Sequence, residues 1–310
     1  MGALAPLVIN RIWAKFKKNF LGFSFNKSSV SDEEIEISAD TYTLSELISK
    51  MEDIVGKWHP DTARSGGDGD AGNLLEDLLG VPENPLPVAD YGIFEIKTHK
   101  RESNAKIKMF SLSPNPRPFS KKPFLEVVGW RDKNKPDTRK RFSYTKGVSG
   151  NARGFRIVRD DNTLLFTHDL ERVERDGKCL DYEDDETYGE YSDRVRSHPN
   201  FSTELPKTWV IRAPYEGHKD NLEARIKDKL QNVFFVERTS RKNPQTGEKE
   251  TKYHECWLLS TLRIERLIEY IDNDVLNVDF NMHTGHDHGV SFRIDKNRLH
   301  ELFDNSEKVI

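Results

Sequence analysis

The sequence predicts an α+β fold, and three observations carry that prediction. Apolar residues recur at helical spacing in some segments, as in Leu44, Leu47, Ile48, Met51, Ile54 and Val55. Elsewhere short apolar runs of strand length, such as Asn232 to Arg238, are bounded by turn-forming residues. The two kinds of segment follow one another with no βαβ rhythm and no internal repeat, which argues for mixed rather than alternating architecture.

Taken in order, Met1 to Phe25 contains no acid, and Leu7, Ile12, Trp13, Phe16 and Phe20 alternate with Arg11, Lys15, Lys17 and Lys18. Three readings of this basic amphipathic stretch compete: a nucleic-acid-facing helix, a membrane-surface or targeting segment, and a helix packed on the body. Packing or nucleic-acid contact is favoured, because the apolar core and cleavage site of a secretory signal are missing. Ser28 to Ser38 reads as a polar, acidic linker, so residues 1–40 form an extension. Thr43 to Trp58 is expected to be a packing helix. His59 to Gly72, with five Gly or Pro residues, is a loop. A short helix is expected over Asn73 to Leu79, with Asn73 as N-cap and Gly80 and Pro82 as its stop. Pro82, Pro85 and Pro87 break the chain before a strand that starts near Asp90.

Lys106 to Leu112 reads as a strand, Ser113 to Pro123 as a Pro-rich basic segment, and Phe124 to Trp130 as a core strand. Phe155 to Val158 and Thr163 to Thr167 read as a hairpin turning at Asp161-Asn162. Gly177 to Asp193 is the acidic peak, expected to be a solvated loop. The pattern then tightens. Trp209 to Ile211 is a strand and Asn221 to Leu230 a helix. Asn232 to Arg238 and Tyr253 to Leu259 are strands joined through Asn243 to Gly247. Arg263 to Ile271 is a helix, Val275 to Phe280 a strand, Met282 to Gly289 a loop and Val290 to Ile294 a last strand. This divides the chain, after residue 40, into units 41–206 and 207–310.

At 310 residues the chain can bury a sizeable core. The net charge of −4 conceals a segregation. Lys97 to Arg159 holds 18 Lys and Arg against 4 Asp and Glu, whereas Asp160 to Pro206 holds 5 against 14. The basic block fits a groove for a polyanion, and it equally fits a solvated surface. Cys179 and Cys256 are too few and too isolated for a disulfide framework or a cysteine zinc site, which suits a reducing cytoplasm. No apolar run approaches the roughly 18 residues of a membrane span.

The chemistry concentrates in Gly72 to Lys100. Glu95 and Lys97 lie on one face of the expected strand with Ile93, while Phe94 and Ile96 face the other way. Burying two such charges is costly unless they are paired or used. A metal-dependent phosphodiester-cleaving site would use them: Asp90 and Glu95 to hold Mg²⁺ through oxygen, Lys97 to orient water and stabilise phosphate charge. Gly92 supplies the backbone freedom that returns Asp90 towards Glu95, and Glu76 on the preceding helix is a candidate fourth member. An acidic-x-Lys triplet occurs three times, at Asp176, Glu95 and Glu250, and only the Glu95 copy follows an Asp between apolar strand residues. The competing reading is a half-exposed strand carrying a surface ion pair.

Asp90…Glu95-x-Lys97 matches the PD-(D/E)xK nuclease pattern, with Ala89 where proline is common. The wider run LLEDLLGVPEN…ADYGIFEIKT, with HDHGVSFRI from His286 to Ile294, resembles the MvaI/BcnI restriction endonucleases, relatives of the mismatch-repair nickase MutH. The two anchors bracket about Thr43 to Ile294. The resemblance implies a PD-(D/E)xK core with a mixed sheet, two lobes around a DNA cleft, and a Mg²⁺-dependent, sequence-specific endonuclease acting on double-stranded DNA. It implies a short, nearly palindromic G/C-rich target and a cognate DNA methyltransferase as functional partner. A MutH-like nickase and a DNA-binding module with a decayed site are the alternatives.

His283, His286, Asp287 and His288 admit three readings: a transition-metal site, base-edge contacts in the major groove, or turn residues with local bonds. The resemblance brings DNA readout forward, with Arg293 touching phosphate or base. His99 is a weaker candidate for the same role, and Lys100, Arg101, Arg139, Lys140 and Arg141 are candidate phosphate contacts.

Overall fold

The computed structural model describes residues 43–61, 70–81, 89–114, 121–131, 140–173, 186–199, 207–212 and 221–310, without the side chains of 70, 121, 207, 208 and 286–288. The expected basic helix over Met1 to Phe25, the linker and Arg139 lie outside these residues.

Helix α1 (Leu44–Ile54) opens with a capping box in which the Thr43 hydroxyl accepts from Glu46 N and Glu46 returns a bond to Thr43 N. Leu47, Ile48, Met51 and Ile54 form its buried stripe. The helix ends short of Trp58, which begins a small strand, β1 (Trp58–Pro60). Helix α2 spans Asp70–Leu79, so Asn73 is an internal residue rather than the N-cap expected. Its last carbonyl, Leu79 O, accepts from Lys50 Nζ at 2.7 Å, and Gly80 leaves the helix at φ +73.

Next come β2 (Glu95–Lys100) and β3 (Ile107–Ser111). Phe124 to Trp130, read as a core strand, is mostly helix: α3 runs Lys121–Val128, and only Trp130–Arg131 (β4) is extended. Phe124, Leu125, Val127 and Val128 are buried while Glu126 is exposed, a helical pattern that a short apolar run disguises. Strand β5 is Lys140–Lys146. The hairpin β6 (Phe155–Asp160) and β7 (Thr163–His168) turns at Asp161-Asn162 as expected. Part of the acidic segment is α4 (Tyr188–Ser197), capped by Thr187 and Glu190, not a loop.

Strand β8 (Lys207–Val210) leads to α5 (Leu222–Lys229), whose N-cap Asn221 accepts from Ala224 N at 2.9 Å. Strands β9 (Asn232–Lys242) and β10 (Lys249–Leu262) form the long hairpin. They are followed by α6 (Ile264–Asp272), β11 (Leu276–His283), β12 (His286–Ile294), α7 (Lys296–Leu299) and an unanticipated β13 (Phe303–Lys308).

The strands make three sheets. In the first, β1-β10-β9-β2, the β2–β9 pair is parallel and the rest antiparallel, with β13 also on β10. The second is β3-β12-β11-β5-β4 and the third β6-β7-β8. Both larger sheets draw strands from either side of residue 206, so the expected division there does not separate them. The first sheet lies between two apolar cores. Phe234, Val236, Leu258 and Ile96 pack with α1 and α2 on one face. Val233, Phe235 and Leu259 join the larger core on the other, which also takes Phe142, Phe166, Phe280 and Phe292 from the other two sheets.

Candidate active site

The turn before β2 is built by its own residues. Tyr91 and Phe94, both almost fully buried, exchange backbone bonds of 2.9 Å in each direction, and Gly92 between them takes φ +59. The strand therefore begins at Glu95 rather than near Asp90. Asp90 folds back, and its Oδ2 accepts from Ile96 N at 2.9 Å. The return of Asp90 towards β2, expected of Gly92, is thus made by a tight turn at that glycine.

On β2, Glu95 pairs in register with Val233 and Lys97 with Phe235. Both charged side chains therefore share the face of the sheet that looks towards the second sheet. Glu95 is 2% exposed. Lys97 Nζ donates to Glu95 Oε1, and Lys229 Nζ at the end of α5 lies 3.4 Å from both Glu95 oxygens. Desolvation pushes the Glu95 carboxyl above its ordinary range; Lys97 and Lys229 pull it back, and the charge of Asp90 pushes it further up. Two lysines do not fully compensate this buried carboxylate.

Glu76 is half-buried on α2, the helix whose Gly72 approaches Thr98 of β2. Its charge is felt at the Tyr253 hydroxyl, which donates to Ala71 O at 2.7 Å. Beyond Lys97 and Lys229, the field contains Lys108 of β3 and Arg293 of β12, paired in register across the second sheet. Burial, then Lys97, Arg293 and Lys229, hold the Lys108 ammonium below its ordinary range. Lys97, Lys108, Lys229 and Arg293, with Glu95 and Asp90, thus share one electrostatic field where β2 and β3 bring the two large sheets together.

Lys229 and Lys108 are absent from the sequence reading. A lysine ending the helix that feeds a strongly apolar strand, Val233 to Val236, was the available signal, since the adjoining strand start lies beside Glu95. Nothing local marked Lys108.

The other candidates divide. Arg293 Nε lies 2.7 Å from Asp279 Oδ2, and Asp279 Oδ1 accepts from Thr145 Oγ1 at 2.8 Å, so the guanidinium is held on the polar face of the second sheet. The segment Met282 to Gly289 is no loop: β11 and β12 continue through it, with His283 opposite His286 and only Thr284-Gly285 at the turn. His286, Asp287 and His288 thus lie on an extended hairpin, their side chains outside the described set. His99 is buried, with Nε2 2.7 Å from Ala105 O, and is spent on the turn after β2 rather than offered to a base. Arg101 pairs with Glu237 at 2.9 Å and Glu255 at 3.3 Å; Lys100 is exposed. Lys140 is exposed on β5, its backbone tied to Thr284, and Arg141 lies opposite His283.

The sequence profile of the MvaI/BcnI restriction endonuclease family matches residues 48–303. The chain belongs to the MvaI/BcnI restriction endonuclease family. Membership implies type II site-specific deoxyribonuclease activity, the class expected from Asp90, Glu95 and Lys97. Among solved structures, the "Restriction endonuclease MvaI-cognate DNA substrate complex" superposes with a TM-score of 0.61 at 20% identity, covering 86% of this chain and 98% of that one. "Restriction endonuclease MvaI in the absence of DNA" matches at 18% identity and TM-score 0.42, over 92% and 100% of the two chains. No curated protein matches. The first superposition agrees with an α+β, PD-(D/E)xK-type fold.

Enzymes of this family generally use a divalent metal, and the donors here suit one. Asp90 and Glu95 would supply hard oxygen donors of the kind such an ion takes. No cluster of three His, Cys, Asp or Glu donors occurs among the described residues.

Proposed function

We propose that this chain is a Mg²⁺-dependent endonuclease that hydrolyses double-stranded DNA at a short specific sequence. The observation that carries this reading is the buried Glu95 carboxylate, gripped by Lys97 and Lys229 and faced by Asp90. Asp90 and Glu95 hold the metal, which would polarise the phosphate and its attacking water. Lys97 orients that water and offsets charge gathering on the phosphate oxygens as the bond to one sugar oxygen breaks. Lys229 keeps the Glu95 carboxylate ionised and aimed. Glu76, expected as a fourth member, lies on the helix that packs on the opposite face of the sheet and takes no part in this reading.

The duplex is positioned through phosphates by the basic block from Lys97 to Arg159, including Lys100, Arg101, Arg139, Lys140 and Arg141, with Lys108 nearest the chemistry. Sequence is read by Arg293 and the hairpin carrying His286, Asp287 and His288. In the cytoplasm, self-protection falls to a cognate DNA methyltransferase.

The test is incubation of supercoiled plasmid with Mg²⁺, comparing the wild-type chain with Lys97→Ala and mapping the cut ends. Discrete ends from wild type and none from Lys97→Ala support the reading. Full cleavage by Lys97→Ala sinks the active-site assignment. Nicked circles without linear product would make the enzyme a nickase.

A further inference from the structure

We infer that Ile93 is a sugar-contact residue that makes the enzyme selective for deoxyribose next to the scissile phosphate. The inference rests on the nuclease reading above. Ile93 is one of two large apolar side chains exposed among the described residues, at 43%. The other, Leu78, lies on a helix; Ile93 lies between the two metal-binding carboxylates in sequence, three residues after Asp90 and two before Glu95.

Its exposure is imposed by the turn. Tyr91 and Phe94 are locked by their mutual backbone bonds and by burial of both rings, which leaves Gly92 and Ile93 as the tip. Asn232, itself buried, donates from Nδ2 to Ile93 O at 3.4 Å and ties that tip to the start of β9. The side chain therefore has little backbone freedom to withdraw from solvent. Two residues of extended chain span at most about 7 Å, so Ile93 stands within that reach of the Glu95 backbone.

A phosphate held at Glu95 and Lys97 carries its sugars with it by covalent connection. A branched aliphatic side chain at this distance presents no donor or acceptor and meets the apolar edge of a deoxyribose. A ribose would press its 2′-hydroxyl, the group by which proteins tell RNA from DNA, against that surface without a partner. Burying an unpartnered hydroxyl is costly enough to slow cleavage by about tenfold or more.

The experiment uses the full chain, Mg²⁺ and its mapped target duplex. One ribonucleotide or one 2′-fluoro nucleotide replaces the deoxynucleotide on either side of the cut, and single-turnover rates are compared. The 2′-fluoro sugar shares the ribose pucker but donates no hydrogen bond. The expected result is a loss of about tenfold or more with ribose on one side and a smaller loss with fluorine. Ile93→Ser should close the ribose gap to within about threefold, and Ile93→Val, which keeps an apolar branch, should retain it. Equal wild-type rates on ribose and deoxyribose, or a gap that survives in Ile93→Ser, would overturn the inference while leaving the nuclease intact. Failure of wild type to cut all-deoxy DNA would instead overturn the nuclease reading, and this inference with it.

Discussion

Lys229 Nζ lies 3.4 Å from both carboxylate oxygens of Glu95, although 134 residues separate them in the chain. It is a second cation on the central carboxylate, contributed by the last turn of α5. Lys229→Ala should lower single-turnover cleavage by about 100-fold while DNA affinity changes little, as for removal of one preorganised charge. The same rate from wild type and variant would reduce Lys229 to a packing role.

Asp90 accepts from Ile96 N, and under the proposed function it also holds the metal. Asp90→Asn keeps an oxygen for the backbone amide but loses the charge. Its melting temperature should match wild type while cleavage disappears. Asp90→Ala should lose cleavage and also about 1 kcal/mol of stability, because a backbone donor loses its partner. Equal melting of the two variants would show that the bond to Ile96 does not fix the turn.

His168 makes the fold acid-sensitive. Its ring stacks on Phe155 at 3.9 Å, and Nε2 lies 2.8 Å from Arg153 O. Burial lowers its pKa from 6.5 to about 4, against the opposing pull of the Arg153 carbonyl and Asp169. Between those values the unfolded chain binds a proton that the folded chain does not. The contribution is therefore complete above pH 6.5 and is lost as pH falls towards about 4. Denaturant midpoints of wild type should drop across this window, and His168→Gln should flatten the drop. Parallel curves would locate the acid sensitivity elsewhere.

The basic block makes a quantitative claim about salt. If Lys108 and Lys140 each neutralise a phosphate, single alanine variants should lower the slope of log affinity against log salt by about 0.9 apiece. Fluorescence anisotropy with a target duplex in Ca²⁺ or without metal would measure it. An unchanged slope for both would make them a solvated face.

Much of the fold was legible because local rules decided it. The helix expected over Asn221 to Leu230 formed, with Asn221 as its cap, Asp161-Asn162 turned its hairpin, and the apolar stripe of α1 was read from spacing alone. Phe124 to Val128 failed because a short apolar run has no period long enough to separate helix from strand. The histidine segment failed for the opposite reason: polar composition suggested a loop, but pairing of β11 with β12 and β5 continued beyond the apolar residues. Asp90, Glu95 and Lys97 were visible because they sit within one turn and strand. Lys229 was harder to see: its place at the end of a helix feeding an apolar strand is local, but the pairing of that strand with β2 is not. His99 is buried and bonded to Ala105 O, a setting that its place after a strand does not announce in sequence.

The parallel register of β2 on β9 has a consequence for synthesis. Asp90, Glu95 and Lys97 leave the ribosome long before Lys229 and the strand that braces them. Pairings so remote in sequence form late, since the loop between them must close first. A nascent chain that has already displayed its acidic-x-Lys motif is thus not yet able to hold it in working order. This topology postpones assembly of the Asp90, Glu95 and Lys97 arrangement until most of the polypeptide exists.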